Sequence, residues 1–386
     1  MIRISDKSLC SGCTACVCAC PAQCIVMRRD REGFDYPVAN PDLCINCGLC
    51  ERICPVLNPQ EKVEPFAAYA ARNEYRLDGS SSGGVFPLIA EKFVEDGGEV
   101  CGAEYEKYCK VVHSLAENID DVERFYGSKY SQSELYSIYD DIRSELEDGR
   151  KVLFSGTPCQ VAGLKAYLRK DYAGLYTVDI ACHGVPSPGL WDKYRTALED
   201  KYQSRLMRVD FRDKSQSWRH YNIRYVFVHA GTVAVPRMKD PYLALFLQDM
   251  TLRPSCYECR FRNGSSGSDL TLADLWSVEQ SCPQMNDDRG ASGVLINTDK
   301  GRELFEGIVE DLAVCEISAD DVRKENGGFS GPVEVPEKRA EFFKGVHSAS
   351  DLPRYMARYV VRKPLIYRVY RSVRSFLSQI KRRFIK

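Results

Sequence analysis

Eight cysteines near the start of the chain fall into two groups with the same spacing. In each group, three cysteines stand two residues apart and a Cys-Pro pair follows after a gap of three: Cys10, Cys13, Cys16 and Cys20, then Cys44, Cys47, Cys50 and Cys54. Such short gaps fold one loop around an iron–sulfur cube, so that three thiolates reach three irons. The spacing therefore predicts two 4Fe–4S clusters that carry electrons.

In this pattern, which is typical of bacterial two-cluster ferredoxins, the cysteine before proline ligates the other cluster. Cluster one is then expected on Cys10, Cys13, Cys16 and Cys54, and cluster two on Cys44, Cys47, Cys50 and Cys20. Zinc is the competing metal, but zinc sites favour two separated C-x2-C pairs over quartets that end in Cys-Pro. Gly12 and Gly48 suit loops that bend with positive φ. Cys18 and Cys24 lie outside both quartets and receive no role.

Four later cysteines are candidates for a third cluster. Cys159, in GTPCQ, follows the predicted strand 151–154, and Cys182, in CHGVP, follows the predicted strand 175–181. The carboxyl ends of strands are where open α/β sheets place their sites. Cys256 and Cys259 form a C-x2-C pair in RPSCYECRF. Spacing alone leaves two interpretations open, a third 4Fe–4S cluster or four separate core thiols.

The elements that must position these residues alternate between strand and helix after residue 66. Periodicity predicts helices over 84–96, 136–148, 161–168, 187–203 and 300–312, and strands over 99–105, 151–154, 175–181, 206–211, 221–228, 270–275 and 293–297. Such alternation is typical of a sheet flanked by helices. We expect a mixed α+β and α/β protein: a two-cluster ferredoxin domain over 1–60, a charged linker, a mixed α/β domain over 66–335, and a helical basic tail over 336–386.

Seven blocks follow the ferredoxin motifs in order: SSGGVF (81–86), GSKYSQS (127–133), SGTPCQVAGLK (155–165), CHGVPSP (182–188), FRDK (211–214), RPSCYECRF (253–261) and SDLTLADLW (268–276). They resemble the family formed by the beta subunits of coenzyme F420-reducing hydrogenases and dehydrogenases, as far as about residue 300. The resemblance implies FAD, iron–sulfur clusters, and reduction of a deazaflavin or another organic acceptor. It also favours a third cluster on the four later cysteines.

Flavin-binding residues are expected in three of these blocks: Ser81, Ser82, Gly83 and Gly84; Gly127, Ser128 and Lys129; and Gly156 and Thr157. The Ser-Gly run opens the predicted helix 84–96, and the free N–H groups and dipole of a helix start suit a pyrophosphate. An ordinary serine N-cap is the alternative interpretation of that run. The nicotinamide fingerprint G-x-G-x-x-G is absent from the sequence, which disfavours direct NAD binding.

Lys129 and His183 are the candidate catalytic residues. Lys129 could place a cation near flavin N1 and stabilise the reduced anion, or it could be a solvated surface lysine. His183 adjoins Cys182, so it could hydrogen-bond a cluster sulfur or give a proton to the acceptor. A structural histidine is the alternative.

Charge and hydropathy restrict the partners and the compartment. The 386 residues carry a formal net charge of -1, which gives no sign of nucleic-acid binding. No apolar run reaches the roughly 18 residues of a membrane span, and the start MIRISDKSLC does not read as a secretory signal. We therefore expect a cytoplasmic protein, in which a total of eighteen cysteines favours metal or redox use over a disulfide framework. Four of them lack partners at ligand spacing and are interpreted as structural: Cys101, Cys109, Cys282 and Cys315.

The last residues form a basic amphipathic pattern. From Arg358 to Lys386 there are ten Lys or Arg and no Asp or Glu, interleaved with apolar residues at helical spacing. Such a helix can lie on an anionic membrane surface, here the inner face, or dock on a partner subunit or on the protein's own core.

Two functions compete. The first is an iron–sulfur flavoprotein oxidoreductase, which relays electrons from ferredoxin or another redox protein through the clusters to FAD and on to coenzyme F420 or another small molecule. The second is a non-catalytic iron–sulfur electron-transfer subunit of a larger complex.

Overall fold

The computed structural model describes residues 1–361, apart from 263, 265, 325, 330 and 332. Its N-terminal part is built from short elements: α1 (Ala15–Cys18), β1 (Ile25–Arg29), β2 (Asp35–Ala39) and α2 (Leu49–Arg52). Strands β1 and β2 pair as an antiparallel hairpin with Ile25 opposite Ala39. Gly12 and Gly48 have φ values of 74° and 70°, the positive φ expected of the two cysteine loops.

Eleven further strands lie in the described part of the remaining chain: β3 (Ala67–Arg72), β4 (Glu99–Glu106), β5 (Lys110–Ala116), β6 (Val152–Gly156), β7 (Leu175–Ile180), β8 (Leu206–Asp213), β9 (Asn222–Phe227), β10 (Gly231–Pro236), β11 (Leu270–Asp274), β12 (Ser292–Ile296) and β13 (Ala313–Glu316). Eight of them form one sheet in the order β13-β3-β12-β11-β7-β6-β4-β5. The centre of the sheet is parallel and its outer strands are antiparallel. A mixed α/β domain was the prediction, and it is confirmed.

The helices of this region are α3 (Val85–Glu95), α4 (Ile119–Val122), α5 (Ile138–Glu147), α6 (Pro158–Leu168), α7 (Pro188–Tyr202), α8 (Pro241–Leu247), α9 (Pro254–Tyr257), α10 (Val278–Ser281), α11 (Asp299–Glu306), α12 (Ala319–Arg323), α13 (Arg339–Val346) and α14 (Leu352–Ala357). Strand β6 alternates between two cores, as the pleat of a strand requires. Leu153 packs with α3 and α11, whereas Val152 and Phe154 pack with α5 and α6. The large sheet is therefore covered on both faces.

A third core surrounds the smaller sheet β8–β9–β10. Helices α7, α8, α13 and α14 contribute to it, and so do Phe34 and Tyr36 of the N-terminal region. The described part of the predicted tail therefore packs against the protein's own core. The basic amphipathic pattern beyond residue 361 lies outside the described residues. None of the helices described is both long and apolar enough to traverse a bilayer.

One predicted helix ends earlier than expected, and several strands, β3 among them, were not predicted. The helix predicted over 300–312 ends at Glu306, because a short 3₁₀ turn and strand β13 use the following residues. Strand β3 was not predicted, since its sequence AAYAAR is rich in alanine, which has little preference for strands. It nevertheless lies between β12 and β13, where Ala70 and Ala71 are fully buried.

Candidate electron-transfer site

The eight N-terminal cysteines line two neighbouring cavities. Each cavity has three cysteines of one quartet and the Cys-Pro cysteine of the other, which is the grouping that the sequence pattern predicts. Cys10, Cys13, Cys16 and Cys54 surround one cavity, and Cys20, Cys44, Cys47 and Cys50 surround the other. Burial raises the pKa of Cys13 to about 12, and the nearby thiols of Cys10 and Cys54 add to the rise. Four thiols around one cavity fit a 4Fe–4S cluster. Among the described residues, no three His, Cys, Asp or Glu side chains lie close enough to hold a single metal ion.

Cys24 also lines the second cavity, although it received no role from the sequence. Its Sγ lies 3.5 Å from Sγ of Cys20. Cys18 lies apart, with its Sγ 3.7 Å from the carbonyl oxygen of Tyr136.

The four later cysteines come together at a third cavity, which all four of them line: Cys159, Cys182, Cys256 and Cys259. Cys159 lies in the first turn of α6, directly after β6, and Cys182 follows β7. Burial raises the pKa of Cys256 to about 11, and the neighbouring thiol of Cys259 contributes. Sequence alone left four separate core thiols open, but this convergence fits a third cluster.

The first cavity, the third cavity and a larger cleft follow one another through shared walls. Ser11 and Val56 line both the first cavity and the third. Cys182, Gly184 and Val185 line both the third cavity and a cleft of about 400 Å³ at the carboxyl ends of the parallel strands. At the other end, Cys16 packs against Cys50 of the second quartet.

Most of the predicted flavin residues line this cleft: Ser81, Ser82, Gly84, Gly127, Ser128, Lys129, Gly156 and Thr157. Two of the blocks are joined directly, because the hydroxyls of Ser81 and Ser128 lie 2.8 Å apart and the N–H of Ser128 donates to Ser81 Oγ. Gly83 is the exception. Its N–H donates to Ser292 Oγ at 3.0 Å, and a Cβ there would lie 2.5 Å from the carbonyl oxygen of Ala71. Gly83 is therefore needed for close packing of the backbone.

The start of α3 presents free backbone donors to the cleft. Gly84, with φ of 79°, is the N-cap, and no side chain caps the helix. The hydroxyl of Ser80 instead accepts from the N–H groups of Ser82 and Gly84 and fixes the loop. Unsatisfied N–H groups at a helix start suit an anionic group such as a pyrophosphate.

Residues of the FRDK block (211–214) and of the SDLTLADLW block (268–276) fix the position of this loop. Arg212 is 5% exposed and forms two hydrogen bonds with the Asp274 carboxylate, at 2.8 and 3.1 Å. It also donates to the carbonyl oxygen of Ser81 at 3.1 Å, and Lys214 donates to that of Ser82. These residues stand in blocks that resemble the family, but the sequence gave them no role because their hydrogen-bond partners are distant in the sequence.

Lys129 is not the solvated lysine of the alternative interpretation. Its Nζ donates to the carbonyl oxygens of Tyr126 and Arg124, at 2.9 and 3.1 Å. Burial lowers the pKa of this amine to about 7, although the nearby carboxylates of Glu104 and Asp210 oppose the shift. Lys129 therefore changes its charge near neutral pH, within the cleft wall.

Two histidines also reach the cleft. His183, the predicted candidate, has Nε2 2.9 Å from Oδ1 of Asp249, and its ring meets Phe246 edge-on. His113 on β5 was missed by sequence reasoning, because it stands in no motif. It is 5% exposed, and burial lowers its pKa to about 4. Nε2 lies 3.1 Å from the carbonyl oxygen of Ser155, whereas Nδ1 has no hydrogen-bond partner. The neutral ring thus leaves one acceptor free in the cleft wall.

Two of the four cysteines that were interpreted as structural pair with each other, which the sequence did not predict. Cys282 and Cys315 form a disulfide, which ties the segment after α10 to strand β13. Spacing could not reveal this pair, since 33 residues separate them and the sheet brings them together. Cys101 and Cys109 are buried free thiols, as expected of structural cysteines.

These features define an iron–sulfur electron-transfer protein with a two-cluster ferredoxin domain. The family described as "4Fe-4S dicluster domain" matches residues 9–58, and the family of the C terminus of the "Coenzyme F420 hydrogenase/dehydrogenase, beta subunit" matches residues 149–321. The two matches support the family of F420 hydrogenase and dehydrogenase beta subunits over residues 149–321, preceded by an N-terminal ferredoxin domain over residues 9–58.

Individual proteins are similar to most of this chain or to part of it. The chain is 22% identical over 328 residues to one of the subunits of the F(420)H(2) dehydrogenase of Methanosarcina mazei, covering 81% of this chain and 86% of the relative. It is 49% identical over 77 residues to "Ferredoxin-1" of Caulobacter vibrioides, covering 20% of this chain and 60% of that ferredoxin. A chain of the F420-reducing [NiFe] hydrogenase complex from Methanosarcina barkeri aligns with a TM-score of 0.46 and 17% identity, over 77% of this chain and 92% of that one. Neither the family descriptions nor these names mention a flavin, so FAD binding stays a prediction.

Proposed function

We propose that this protein is an iron–sulfur flavoprotein oxidoreductase. Electrons from ferredoxin or another redox protein would enter at the N-terminal clusters and leave from the cleft to an organic acceptor. The observation that carries the proposal is the continuity of the sites. The third cysteine cavity shares Ser11 and Val56 with the first cavity, and Cys182, Gly184 and Val185 with the cleft.

The twelve predicted ligands divide into three sets of four, with Cys10, Cys13, Cys16 and Cys54 for cluster one, Cys44, Cys47, Cys50 and Cys20 for cluster two, and Cys159, Cys182, Cys256 and Cys259 for cluster three. Each set lines one cavity. Cys47 is exposed, so the second cavity is the one that a redox partner could approach. Because the third cavity adjoins the cleft, its cluster would be the last one that electrons pass before they reach the cleft.

The cleft suits FAD in its donor groups. The start of α3 would hold the pyrophosphate with backbone N–H groups, beside the linked hydroxyls of Ser81 and Ser128. The Lys129 ammonium would favour an anionic ligand while it is protonated, and the free Nδ1 of His113 would accept a hydrogen bond. When bound, a flavin would exchange single electrons with clusters and electron pairs with an organic acceptor.

A non-catalytic electron-transfer subunit is the second candidate. The names of the relatives favour it, because the relative from Methanosarcina mazei is one of the subunits of a dehydrogenase. In that case the cleft would face a partner subunit, and the acceptor would be reduced elsewhere.

Iron and flavin analysis of the anaerobically purified protein tests the proposal. We expect about twelve irons and one FAD per chain, since three cubes hold four irons each. The double variant Cys159→Ser and Cys182→Ser should lose about four irons and keep the N-terminal pair. Cys101→Ser, at a buried thiol outside the three cavities, is the matched control. About eight irons in the wild type, without FAD and without FAD binding on reconstitution, would contradict the proposal and favour the second candidate.

A further inference from the structure

Arg253 lies at the junction between the ferredoxin domain and the loop that carries Cys256 and Cys259. It is the N-cap of α9 and is 1% exposed, which makes it one of the largest fully buried side chains of the described residues. Its own N–H donates to the carbonyl oxygen of Val185, a residue shared by the third cavity and the cleft. The backbone of Arg253 therefore contacts the wall of the third cavity, whereas its side chain bonds to other parts of the chain.

The guanidinium group enters the ferredoxin domain. Nε donates to the carbonyl oxygen of Cys10 at 2.7 Å, one terminal nitrogen donates to that of Asp35 at 2.9 Å, and the other donates to Gln132 Oε1 at 2.9 Å. The ring of Tyr36 lies beneath the cation at 4.3 Å. The terminal nitrogen that faces Asp35 also lies 3.8 Å from Sγ of Cys10. The guanidinium group is held in one position, because each of its three nitrogens has a hydrogen-bond partner.

This buried cation has no carboxylate partner. No Asp or Glu oxygen of the described residues lies within 4.0 Å of the Arg253 side chain. Three other buried arginines do have such partners, Arg72 with Asp287, Arg212 with Asp274 and Arg339 with Glu32. Burying an unpaired charge is costly, so native proteins pair buried charges or place them against a metal site. The group that faces Arg253 is the Cys10 thiol of the first cavity.

We infer that Arg253 is the fixed counter-charge of cluster one and raises the midpoint potential of that cluster. The inference rests on the ligand set proposed for cluster one. Reduction adds a negative charge to a cluster that already carries the charge of four thiolates. A cation held nearby in a water-poor region stabilises the reduced form more than the oxidised form. Arg253 is thus a positioning residue, and it would favour electron transfer from cluster two to cluster one.

A redox titration of the holoprotein, followed by electron paramagnetic resonance, tests this assignment. The component of cluster one is identified as the one whose signal changes in Cys13→Ser. In Arg253→Gln we expect the equilibrium constant for one-electron reduction of cluster one to fall at least tenfold, which corresponds to about 59 mV. Arg253→Lys keeps the charge and should stay much closer to the wild type. Arg72→Gln, at a buried arginine outside the cavities, is the matched control.

A second variant keeps the arginine and cancels its charge. Gln132→Glu places a carboxylate 2.9 Å from the guanidinium, at nearly constant volume, and should lower the same midpoint. This variant decides the matter if Arg253→Gln does not retain iron. An unchanged midpoint in an iron-replete Arg253→Gln or Gln132→Glu protein would overturn the inference, as would equal shifts in Arg253→Gln and Arg253→Lys. Because the titration needs neither flavin nor acceptor, its outcome is independent of whether the cleft binds FAD.

Discussion

At the residue scale, Lys129 is a group of the cleft wall whose charge depends on pH. Its amine is held by two backbone carbonyls, and burial lowers its pKa to about 7. Two carboxylates, Glu104 and Asp210, and the cation of Arg208 influence it from neighbouring strands. Below about pH 7 the cleft wall therefore carries a cation that disappears as the pH rises.

This leads to a prediction for FAD affinity. Because Lys129 loses its proton as the pH rises through about 7, the wild type should bind FAD more tightly at pH 6 than at pH 8.5. We expect about a tenfold difference in Kd, equivalent to ~1.4 kcal/mol. Lys129→Arg should bind tightly at both pH values, and Lys129→Met weakly at both. Quenching of flavin fluorescence measures each Kd, and an identical pH dependence in wild type and Lys129→Arg would contradict the role.

The sequence predicted some site residues well and others not at all. The eight N-terminal cysteines could be predicted because they lie close together in the sequence, and their spacing alone encodes the two cluster-binding loops. Cys159 and Cys182 were recognisable from their position after strands, and the cavity that they share with Cys256 and Cys259 agrees with that expectation. His113 could not be found, since only the folded sheet shows that its ring is buried with one nitrogen free.

At the element scale, helix α6 sets the distance between two of the cavities. Its first turn carries Cys159 of the third cavity, and one turn later Gly163 faces Cys13 of the first. A Cβ on Gly163 would lie 2.8 Å from Cβ of Cys13 and 3.0 Å from the hydroxyl of Tyr139. The helix can approach the ferredoxin loop this closely only because residue 163 has no side chain.

Gly163→Ala should therefore displace the ferredoxin loop. We expect a loss of about 1–3 kcal/mol in the free energy of unfolding, as is usual for an added methyl group in a packed core, together with a lower iron content. Gly307→Ala is the matched control, since the nearest atoms to its new Cβ lie at 3.4 and 3.6 Å. Urea unfolding and iron analysis measure the two effects. If Gly163→Ala retained both the stability and the iron of Gly307→Ala, the close approach would not matter.

Most elements of the large sheet followed from periodicity, and those that did not have identifiable reasons. Strand β6 begins with the continuous apolar run VLF, and strands β7 and β11 are rich in leucine, valine and other residues typical of buried strands. Strand β3 of this sheet consists mostly of alanines, and strand β10 of the smaller sheet is largely exposed, with the burial pattern of an edge. Tertiary pairing decides the structure of such segments, and local preference does not.

At the scale of the whole molecule, the ferredoxin domain is fastened to the α/β domain by polar contacts as well as by packing. Arg29 pairs with Glu134 and Asp192. Arg339 on α13 makes two hydrogen bonds with the Glu32 carboxylate, at 2.9 and 2.6 Å, and a further one with the carbonyl oxygen of Leu252. Helix α13, which lies in the predicted tail, therefore holds the ferredoxin domain in place.

Arg339→Met should loosen this attachment. We expect the free energy of unfolding to fall by about 2–4 kcal/mol, because the mostly buried Glu32 carboxylate and the Leu252 carbonyl would lose their partner. Arg302→Met removes an exposed pair with Asp299 and should cost less than about 1 kcal/mol. Thermal or urea unfolding gives the comparison, and limited proteolysis between the domains should accelerate in Arg339→Met only. Equal effects of the two variants would argue against the attachment.

In the proposed function, electrons pass from the N-terminal clusters through the third cluster to a flavin in the cleft. Stopped-flow mixing of anaerobic, FAD-loaded protein with reduced ferredoxin tests this route, with cluster and flavin absorbance followed together. We expect the clusters to be reduced first and the flavin after them. In Cys182→Ser the flavin should be reduced at least tenfold more slowly while the N-terminal clusters keep their rate, and Cys101→Ser should behave as the wild type. Flavin reduction at the wild-type rate in Cys182→Ser, or a wild-type protein that never binds FAD, would contradict the account.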